Sequence, residues 1–305
     1  MRRFIFKLTI FVILLLIFLQ GFILERNPYL QQKTRYVSNI TDYQKFKSPV
    51  LILGDSQPAA IPQEMLGGEI YNFAFGSDSL NEMSIKLRYA LNVNPGIHTV
   101  LVSYDYHVLS KYRTSINNKL LIQSFTDPAT YKELYHEAYP ENPLSRFLSR
   151  SPYFEPNVYV FTRRKIFESI RNLFKRRSEK NIDASKNWVD IPPADRLDSA
   201  ANRAKTLLQE ISADLLDHYR EMIALCHQHH IRVIAVRYPL SRDYLAVIKP
   251  YDLTAVDTAL KSLAFDLILD YKDLLPDSQY YTNADHMNLA GIMIFLEKLT
   301  GDIKR

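Results

Sequence analysis

The stretch Pro49-Val50-Leu51-Ile52-Leu53-Gly54-Asp55-Ser56 is the part of the sequence that decides the fold class. Its four consecutive apolar residues lack the polar alternation of a half-exposed strand and are typical of a parallel strand buried on both faces. The run ends in Gly54-Asp55-Ser56, which predicts a turn at the carboxyl end of that strand. Because ligands of parallel sheets bind beyond the carboxyl ends of the strands, the turn puts the Ser56 hydroxyl where a binding site is expected.

Apolar strands and helical patterns alternate on both sides of a central region. We predict further strands at residues 70–74, 98–104, 231–236 and 265–269, and helices at residues 79–92, 199–230 and 254–263, with a last helix opened by Asp285-His286 and running to about Leu299. This order indicates a parallel sheet covered by helices. The predicted fold class is therefore α/β, a three-layer α/β/α sandwich with a parallel sheet of about five strands.

The N-terminal segment predicts one transmembrane helix. Residues 8–24 carry no charged side chain and, at about 1.5 Å per residue, cover roughly 25 Å. With residues 4–6 added and Lys7 snorkelling, the segment reaches the roughly 30 Å of a bilayer core. The absence of a convincing small-x-small site favours an uncleaved anchor over a cleaved signal peptide. The positive charges precede the apolar run, so the N-terminus is expected in the cytoplasm and the rest of the chain outside it.

The predicted domain organisation follows from these patterns. Residues 1–24 are the N-terminal transmembrane anchor, and the polar residues 25–47 form a juxtamembrane stalk, so regular structure of the folded domain is expected to begin at Pro49. Residues 48–305 form the α/β domain. Residues 106–200 do not continue the strand–helix alternation, and we interpret them as an inserted, mainly helical segment of that domain.

The composition narrows the classes of function. The chain has 305 residues, of which 47% are hydrophobic, and a net charge of +5, which is too small to argue for nucleic acid. No phosphate-binding loop, zinc motif or nucleic-acid module is recognisable, so we expect no cofactor, no metal and no nucleic-acid partner. The single cysteine, Cys226, excludes an intramolecular disulfide and is expected to be buried. His227, His229 and His230 are expected to be cations at a helix C-terminus rather than metal ligands.

A second segment with side chains capable of acid–base chemistry lies near the C-terminus. Its sequence is Asn283-Ala284-Asp285-His286-Met287-Asn288. A histidine at this position would serve as a general base for Ser56, because a serine hydroxyl alone is a poor nucleophile at neutral pH. The alternative interpretation makes Asp285 the N-cap of the last helix and His286 a surface residue in its first turn.

Taken together, Leu-Ile-Leu-Gly-Asp-Ser (51–56) and Asp-His-Met-Asn-Leu-Ala-Gly (285–291) resemble the SGNH (GDSL-like) hydrolases. The resemblance is to their membrane-anchored, cell-envelope branch, which includes the D-alanyl-transfer protein of teichoic acid synthesis and the alginate acetylation proteins. It covers roughly residues 48–105 and 230–300 and implies a flavodoxin-like fold. It also implies that Ser56 is the nucleophile and His286 the base. The oxyanion hole would consist of the backbone N–H groups of Ser56 and Gly76, with the Asp105 region as a further contributor.

Two positions depart from the family pattern. The third block, Gly-x-Asn-Asp, is replaced by Ser103-Tyr104-Asp105-Tyr106, which lacks the asparagine donor; removing one such donor typically lowers the rate by about 10²–10³. The acid of the Asp-x-x-His pattern is replaced by Asn283, which can orient an imidazole but cannot stabilise its positive charge. The neighbouring Asp285 is the other candidate for orienting His286, although its side chain is expected to point elsewhere. The site is either a weakened Ser–His pair or the remnant of one.

Three functional hypotheses follow. The resemblance implies a serine esterase or O-acyltransferase that acts on ester-linked acyl groups of extracytoplasmic, cell-envelope carbohydrate. The alternative is a catalytically inactive module for binding or assembly, with envelope-assembly proteins as partners. A third hypothesis is a membrane scaffold that depends on residues 106–200, in which the basic amphipathic stretch 161–177 contacts lipid headgroups or an anionic polymer rather than forming a solvated helix face.

Overall fold

The computed structural model describes residues 28–139 and 187–303, together with Phe11. The chain divides into two compact units, one made of Met1–Ser38 and Glu137–Lys180, the other of Asn39–His136 and Asn181–Arg305. The strands and all candidate site residues belong to the second unit. The basic stretch 161–177 lies outside the described residues, and so does the predicted anchor, residues 4–24, apart from Phe11.

Five parallel strands form the sheet of the second unit. They are β1 (Val50–Leu53), β2 (Ile70–Asn72), β3 (Thr99–Ser103), β4 (Arg232–Arg237) and β5 (Leu267–Asp270). Their order is β2-β1-β3-β4-β5, and each neighbouring pair is parallel. This is the doubly wound order 2-1-3-4-5, in which the direction of winding reverses between β1 and β3. The predicted parallel sheet of about five strands is confirmed, and Ser56 follows the strand at the switch point.

Helices alternate with these strands along the chain. Those described are α1 (Pro28–Phe46), α2 (Ser56–Ala59), α3 (Leu80–Val93), α4 (Tyr112–Ser115), α5 (Lys119–Ile122), α6 (Pro128–Tyr135), α7 (Pro193–Leu207), α8 (Ala213–Gln228), α9 (Arg242–Ile248), α10 (Thr254–Lys261) and α11 (Leu289–Ile303). Short 3-10 turns cover Gln63–Met65, Gln123–Phe125, Trp188–Asp190 and Ser278–Tyr280. Among these elements, α3 packs against α8, which also contacts β4, and α7 packs against α9.

One face of the sheet shares a hydrophobic core with α7, α9 and α11. The sheet contributes Val50, Ile52, Leu101, Ile234 and Val236, and the helices contribute Ala200, Ala204, Ile248, Ile292 and Phe295. Residues of β1 and β3 are buried along their whole length, as expected for strands covered on both faces. This arrangement fits an α/β sandwich.

Regular structure begins earlier than Pro49, so that expectation is wrong. Helix α1 occupies most of the predicted stalk, and its residues Ile40 and Tyr43 are fully buried. The Tyr43 ring lies 5.2 Å from the rings of both Tyr71 and Phe73, measured between centroids. The second half of α1 therefore packs beside β2 and is part of the same compact unit as the sheet.

The single long helix predicted for residues 199–230 is also wrong, because two helices occupy this range. Between α7 and α8 the backbone pairs with the loop after β3: Lys111 N donates to Glu210 O (2.8 Å) and Ser212 N donates to Leu109 O (2.8 Å). Ser212 then caps α8 by accepting a hydrogen bond from Leu215 N. Cys226 is buried on α8, as predicted, and burial raises its pKa to about 12.

No helix within residues 28–139 and 187–303 is both long enough and apolar enough to cross a bilayer. Of the inserted segment 106–200, residues 106–139 and 187–200 are described; they contribute α4, α5, α6 and the first half of α7.

Candidate active site

The turn after β1 presents Ser56 as the first residue of α2. Asp55 is the N-cap, and its Oδ1 accepts a hydrogen bond from Gln57 N (3.3 Å). Gly54 is needed for close packing, because a Cβ there would lie 2.4 Å from both Pro58 Cγ and Ser103 Oγ. Ser56 itself is half-buried, so its hydroxyl lies at the carboxyl edge of the sheet without being sealed in the core.

Two basic residues of the inserted segment hold the Asp55 carboxylate. His107 Nε2 lies 2.8 Å from Asp55 Oδ2, and Arg113 forms an ion pair with the same oxygen. Burial lowers the pKa of His107 below its ordinary value, although Asp105 and Asp285 oppose that shift, so His107 is neutral at neutral pH. Because an ionised carboxylate only accepts hydrogen bonds, His107 must donate its Nε2–H. Burial lowers the pKa of Arg113 to about 10, which leaves it charged at neutral pH.

His286 lies in a loop that precedes α11, not in the helix itself. Thr282 N donates to His286 O (2.9 Å), Asn288 N donates to Tyr280 O (2.8 Å), and α11 begins only at Leu289. The prediction that Asp285-His286 opens the last helix is therefore wrong, and so is the alternative that made Asp285 its N-cap. The backbone groups of this segment close a loop on one another, which prevents them from starting a helix.

The Asp285 side chain contacts His286, contrary to the expectation that it would point elsewhere. Asp285 Oδ1 and Asn283 Oδ1 each lie 3.0 Å from His286 Nδ1. Arg203 of α7 forms an ion pair with the same Asp285 oxygen, which draws the carboxylate to this side of the loop. Burial alone would raise the pKa of Asp285, but His286 and Arg203 outweigh burial and hold that pKa well below its ordinary value.

This arrangement fixes the tautomer of the imidazole. Both oxygens near Nδ1 belong to groups that accept hydrogen bonds there, so Nδ1 carries the proton and donates. Nε2 is then the nitrogen that can accept a proton. Asp285, which is ionised at neutral pH, also supplies the negative charge that Asn283 lacks, so it can stabilise a positively charged His286.

The Ser56 turn and the His286 loop meet at the same edge of the sheet. Gln57 Nε2 donates to Asp285 O (3.0 Å), so the residue that follows Ser56 is bonded to the residue that precedes His286. Among the described residues, no hydrogen bond joins the Ser56 and His286 side chains directly. The bond between the two segments is the one from Gln57 to Asp285, and His286 Nδ1 contacts Asn283 within its own loop. The two segments are nevertheless brought together although 228 positions separate Gln57 from Asp285.

The predicted oxyanion-hole glycine lies beside Ser56. A Cβ added at Gly76 would stand 3.9 Å from Ser56 Cβ, and Phe75 N donates to Gly54 O (3.2 Å). Asn118 Nδ2 donates to Gly76 O (2.8 Å), which fixes the peptide that follows Gly76. The structure thus brings Ser56 and Gly76 together, as the family resemblance implies.

A buried ion pair supports the loop that carries Gly76. Lys86 Nζ lies 2.7 Å from Asp78 Oδ2, and both side chains are fully buried. Lys86 also donates to Phe73 O (2.7 Å), and Asn118 donates to Asp78 Oδ1 (2.7 Å). Burial raises the pKa of Asp78 to about 6, although Lys86 opposes this shift. These bonds connect the loop after β2 to α3 and to the inserted segment, so the position of Gly76 depends on both.

Asp105, the remaining predicted contributor, is buried just after β3. Its Oδ1 accepts a long hydrogen bond from Tyr238 N (3.4 Å), and its Oδ2 has no hydrogen-bond partner among the described residues. Burial raises its pKa to about 6, although His107 and Arg237 oppose this shift. At neutral pH the side chain is therefore largely ionised and cannot donate to an oxyanion, so the backbone N–H groups are the available donors.

A cleft of about 350 Å³ opens beside His286. It is lined by Ala60, Pro62, Thr282, Asn283, His286, Met287, Asn288, Leu289 and Ile292. Ala60 directly follows α2, the helix that begins with Ser56. The cleft therefore connects the segment that carries the serine to the loop that carries the histidine.

Sequence reasoning missed Gln57, His107, Arg113, Asn118 and Arg203. Each of these side chains contacts a segment distant in the sequence, for example 58 positions for Arg113 with Asp55 and 82 for Arg203 with Asp285. The absence of the asparagine block after β3 was visible in the sequence, but it did not point to these residues.

Comparisons with known proteins add little to this geometry. No family model matches the chain, and no curated protein matches it. One similar solved structure is described as a putative platelet activating factor from Streptococcus pneumonia, with a TM-score of 0.40 and 12% identity over 94% of this chain and 97% of that one. A likeness of that size says nothing about the activity of this chain.

Proposed function

We propose that the protein is a serine esterase or O-acyltransferase that uses Ser56 as nucleophile and His286 as base. The observation that carries this proposal is the contact of His286 Nδ1 with Asp285 Oδ1 and Asn283 Oδ1, in a loop bonded to the Ser56 turn. A base oriented by a buried carboxylate, next to an accessible serine, is the arrangement that nucleophilic acyl transfer needs.

In the proposed mechanism, His286 Nε2 takes the proton of Ser56 Oγ as that oxygen attacks the ester carbonyl. The carbonyl oxygen becomes negatively charged and faces the backbone N–H groups of Ser56 and Gly76. His286 then gives its proton to the leaving alcohol oxygen, the C–O bond breaks and an acyl-serine forms. Water or a second hydroxyl attacks this acyl-serine by the same steps, which releases the acid or the transferred ester.

We further propose a carbohydrate ester as the substrate and the outer side of the membrane as the location. In this proposal the ester is on extracytoplasmic, cell-envelope carbohydrate, residues 4–24 lie in the lipid bilayer, and the partners are envelope-assembly proteins. The support is the uncharged N-terminal run, the positive charges that precede it and the sequence resemblance.

The alternative is a catalytically inactive envelope module for binding or assembly. One observation favours it: after β3 the chain carries Asp105, which is largely ionised at neutral pH, where the family has an asparagine donor. An oxyanion hole with one donor fewer stabilises the transition state less.

Labelling with a serine-directed fluorophosphonate separates the two functions. We expect the wild-type chain to be labelled, Ser56→Ala to lose the label, and Ser262→Ala, which alters an exposed serine after α10, to keep it. A folded wild-type protein that takes no label would favour the inactive module. Undiminished labelling of Ser56→Ala would show that another residue reacts.

A further inference from the structure

We propose that the cleft beside His286 binds an unbranched alkyl chain of the ester substrate. This inference rests on the proposed function, since it assigns a substrate feature to the same site. Five of the nine lining residues are apolar: Ala60, Pro62, Met287, Leu289 and Ile292. A volume of about 350 Å³ lies within the usual range of small-ligand sites, which are mostly apolar with a few polar groups.

Apart from His286 Nε2 and Asn283 Nδ2, the polar side-chain atoms of the lining are hydrogen-bonded to neighbouring groups of the protein. Thr282 Oγ1 donates to His286 O (3.2 Å), and Asn283 Oδ1 accepts from the backbone N–H groups of Asp285 and His286 (3.2 and 3.0 Å). Asn288 Nδ2 donates to Gln279 O (2.6 Å), and its Oδ1 accepts from Gly291 N (3.1 Å). A hydroxyl-rich group would thus gain few hydrogen bonds here, whereas a methylene chain requires none. The sugar of a carbohydrate ester would lie outside the cleft.

The cleft begins at a short distance from the proposed reaction centre. Helix α2 starts at Ser56, and Ala60 lies four residues further on, which corresponds to about 6 Å along a helix. An acetyl group attached at Ser56 is much smaller than a cleft of about 350 Å³ and would leave most of it empty. A chain of medium length would enter it and remove the apolar lining from water.

Exposed apolar side chains extend the lining along α11. Leu289 forms part of the cleft and is 59% exposed, and Met293, one turn further on, is also 59% exposed. A single exposed apolar residue is common on protein surfaces. Two such residues that continue an apolar cleft provide a path for the distal part of a longer chain.

Chain-length dependence of hydrolysis tests this assignment. We would measure kcat/KM for p-nitrophenyl acetate, butyrate and octanoate, and for butyl and octyl acetate. Full burial of a methylene contributes about fourfold to binding, and a shallow cleft correspondingly less. We therefore expect kcat/KM to be at least tenfold higher for the eight-carbon member than for the shortest member in one of the two series. A preference in the acyl series assigns the cleft to the acyl chain, and a preference in the alkyl acetate series assigns it to the alcohol.

Two variants locate the preference in the cleft. Ala60→Phe fills the cleft and Leu289→Asn removes apolar lining, so each is expected to lower the ratio of long-chain to short-chain kcat/KM by at least fivefold. The matched control is Ile294→Asn, which alters another exposed apolar residue of α11 that does not line the cleft; its ratio should equal that of the wild type. A flat chain-length profile, or a preference that both cleft variants retain, would overturn the assignment.

Binding of sodium decanoate to the full-length Ser56→Ala chain, measured by calorimetry, separates this inference from the proposed function. We expect Ala60→Phe, combined with Ser56→Ala, to weaken decanoate binding at least tenfold. If that result is obtained while no ester is hydrolysed by the wild type, the cleft assignment stands and the proposed enzymatic function fails. If decanoate binds equally well with and without Ala60→Phe, the cleft assignment fails whatever the enzyme does.

Discussion

At the scale of single residues, His286 Nδ1 is placed 3.0 Å from two oxygens of different character. Asp285 brings a buried negative charge, and Asn283 brings a neutral dipole. In the proposed mechanism only the charge can stabilise the imidazolium that forms during proton transfer, so the two residues should differ in their contribution to the rate. The family pattern places the acid three residues before the histidine, and here the charge comes from the adjacent residue instead.

Replacing these two residues separately tests that difference. We expect Asp285→Asn to lower kcat for ester hydrolysis by about 10³–10⁴, by analogy with other catalytic triads. Asn283→Ala, the matched control in the same loop, should lower it less than tenfold. Thermal unfolding of each variant would confirm that it is folded. Equal losses of kcat in the two variants would contradict the assignment of the charge to Asp285.

A second residue-scale prediction concerns the buried ion pair of Asp55 and Arg113. Arg113→Met leaves the Asp55 carboxylate without its permanent cation, and breaking such a pair typically costs about 3–5 kcal/mol. The free energy of unfolding, measured with urea, should fall by about that amount. The control is Arg220→Met, which removes an exposed pair with Asp217 and should change the free energy by at most about 1 kcal/mol. A loss as small as the control's would show that Asp55 does not depend on Arg113.

The raised pKa of Asp105 predicts a pH dependence of stability. Burial raises the pKa from 3.8 to about 6, so the folded chain holds this proton more tightly than the unfolded chain. The resulting stabilisation is present at low pH and is lost as the pH rises through about 6, which amounts to roughly 3 kcal/mol for a shift of about two units. Asp105→Asn has no such proton. The free energy of unfolding of Asp105→Asn, relative to that of the wild type, should therefore increase between pH 4 and pH 7. Urea unfolding at both pH values measures this difference. A difference that stays constant between the two pH values would contradict the prediction.

At the scale of elements, the inserted segment supports the Ser56 turn and the Gly76 loop. His107 and Arg113 hold Asp55, and Asn118, immediately before α5, donates to Gly76 O and Asp78 Oδ1. The sequence interval that lacks the strand–helix alternation is therefore not separate from the site. Its first part supports the edge of the sheet at which β1 and β2 end.

Asn118 provides a direct test of this support. Asn118→Ala removes both hydrogen bonds and releases the peptide that follows Gly76, so we expect kcat to fall about 10- to 100-fold, with a smaller change in KM. Loss of a buried hydrogen bond should also lower the free energy of unfolding by about 1–3 kcal/mol. The neighbouring Asn117 is half-buried, donates to Thr114 O and accepts from Lys119 N, and these bonds reach neither Gly76 nor Asp78, so Asn117→Ala is the control and should keep the wild-type kinetics. Equal kinetics in the two variants would contradict a role for Asn118.

At the scale of the whole molecule, the sheet could be predicted from the sequence because buried parallel strands are continuous apolar runs, as in Val50–Leu53. The break between α7 and α8 could not, because it results from pairing of residues 210–212 with residues 109–111. The same holds for Arg113 and Arg203, whose burial depends on carboxylates distant in the sequence. Helix α1 was missed because only its few buried positions, such as Ile40 and Tyr43, distinguish it from a polar stalk.

The predicted orientation in the membrane is also a property of the whole chain. We expect a C-terminal alkaline phosphatase fusion of the full chain to be active in bacterial cells, because the positive charges before residues 8–24 predict that the C-terminal part lies outside the cytoplasm. A fusion with green fluorescent protein, which folds poorly after export through the general secretory route, should be dark. An inactive phosphatase fusion together with a bright fluorescent one would contradict the predicted orientation.

The most direct test of the Ser56–His286 pair is mass spectrometry of the chain quenched in acid after it is mixed with p-nitrophenyl pivalate, an ester whose bulky acyl group slows deacylation. The account predicts one pivaloyl group on the peptide that contains Ser56 in the wild type, and none within the same time in His286→Gln. A folded wild-type chain without the adduct, or an adduct on Ser56 that forms equally fast in His286→Gln, would contradict the account.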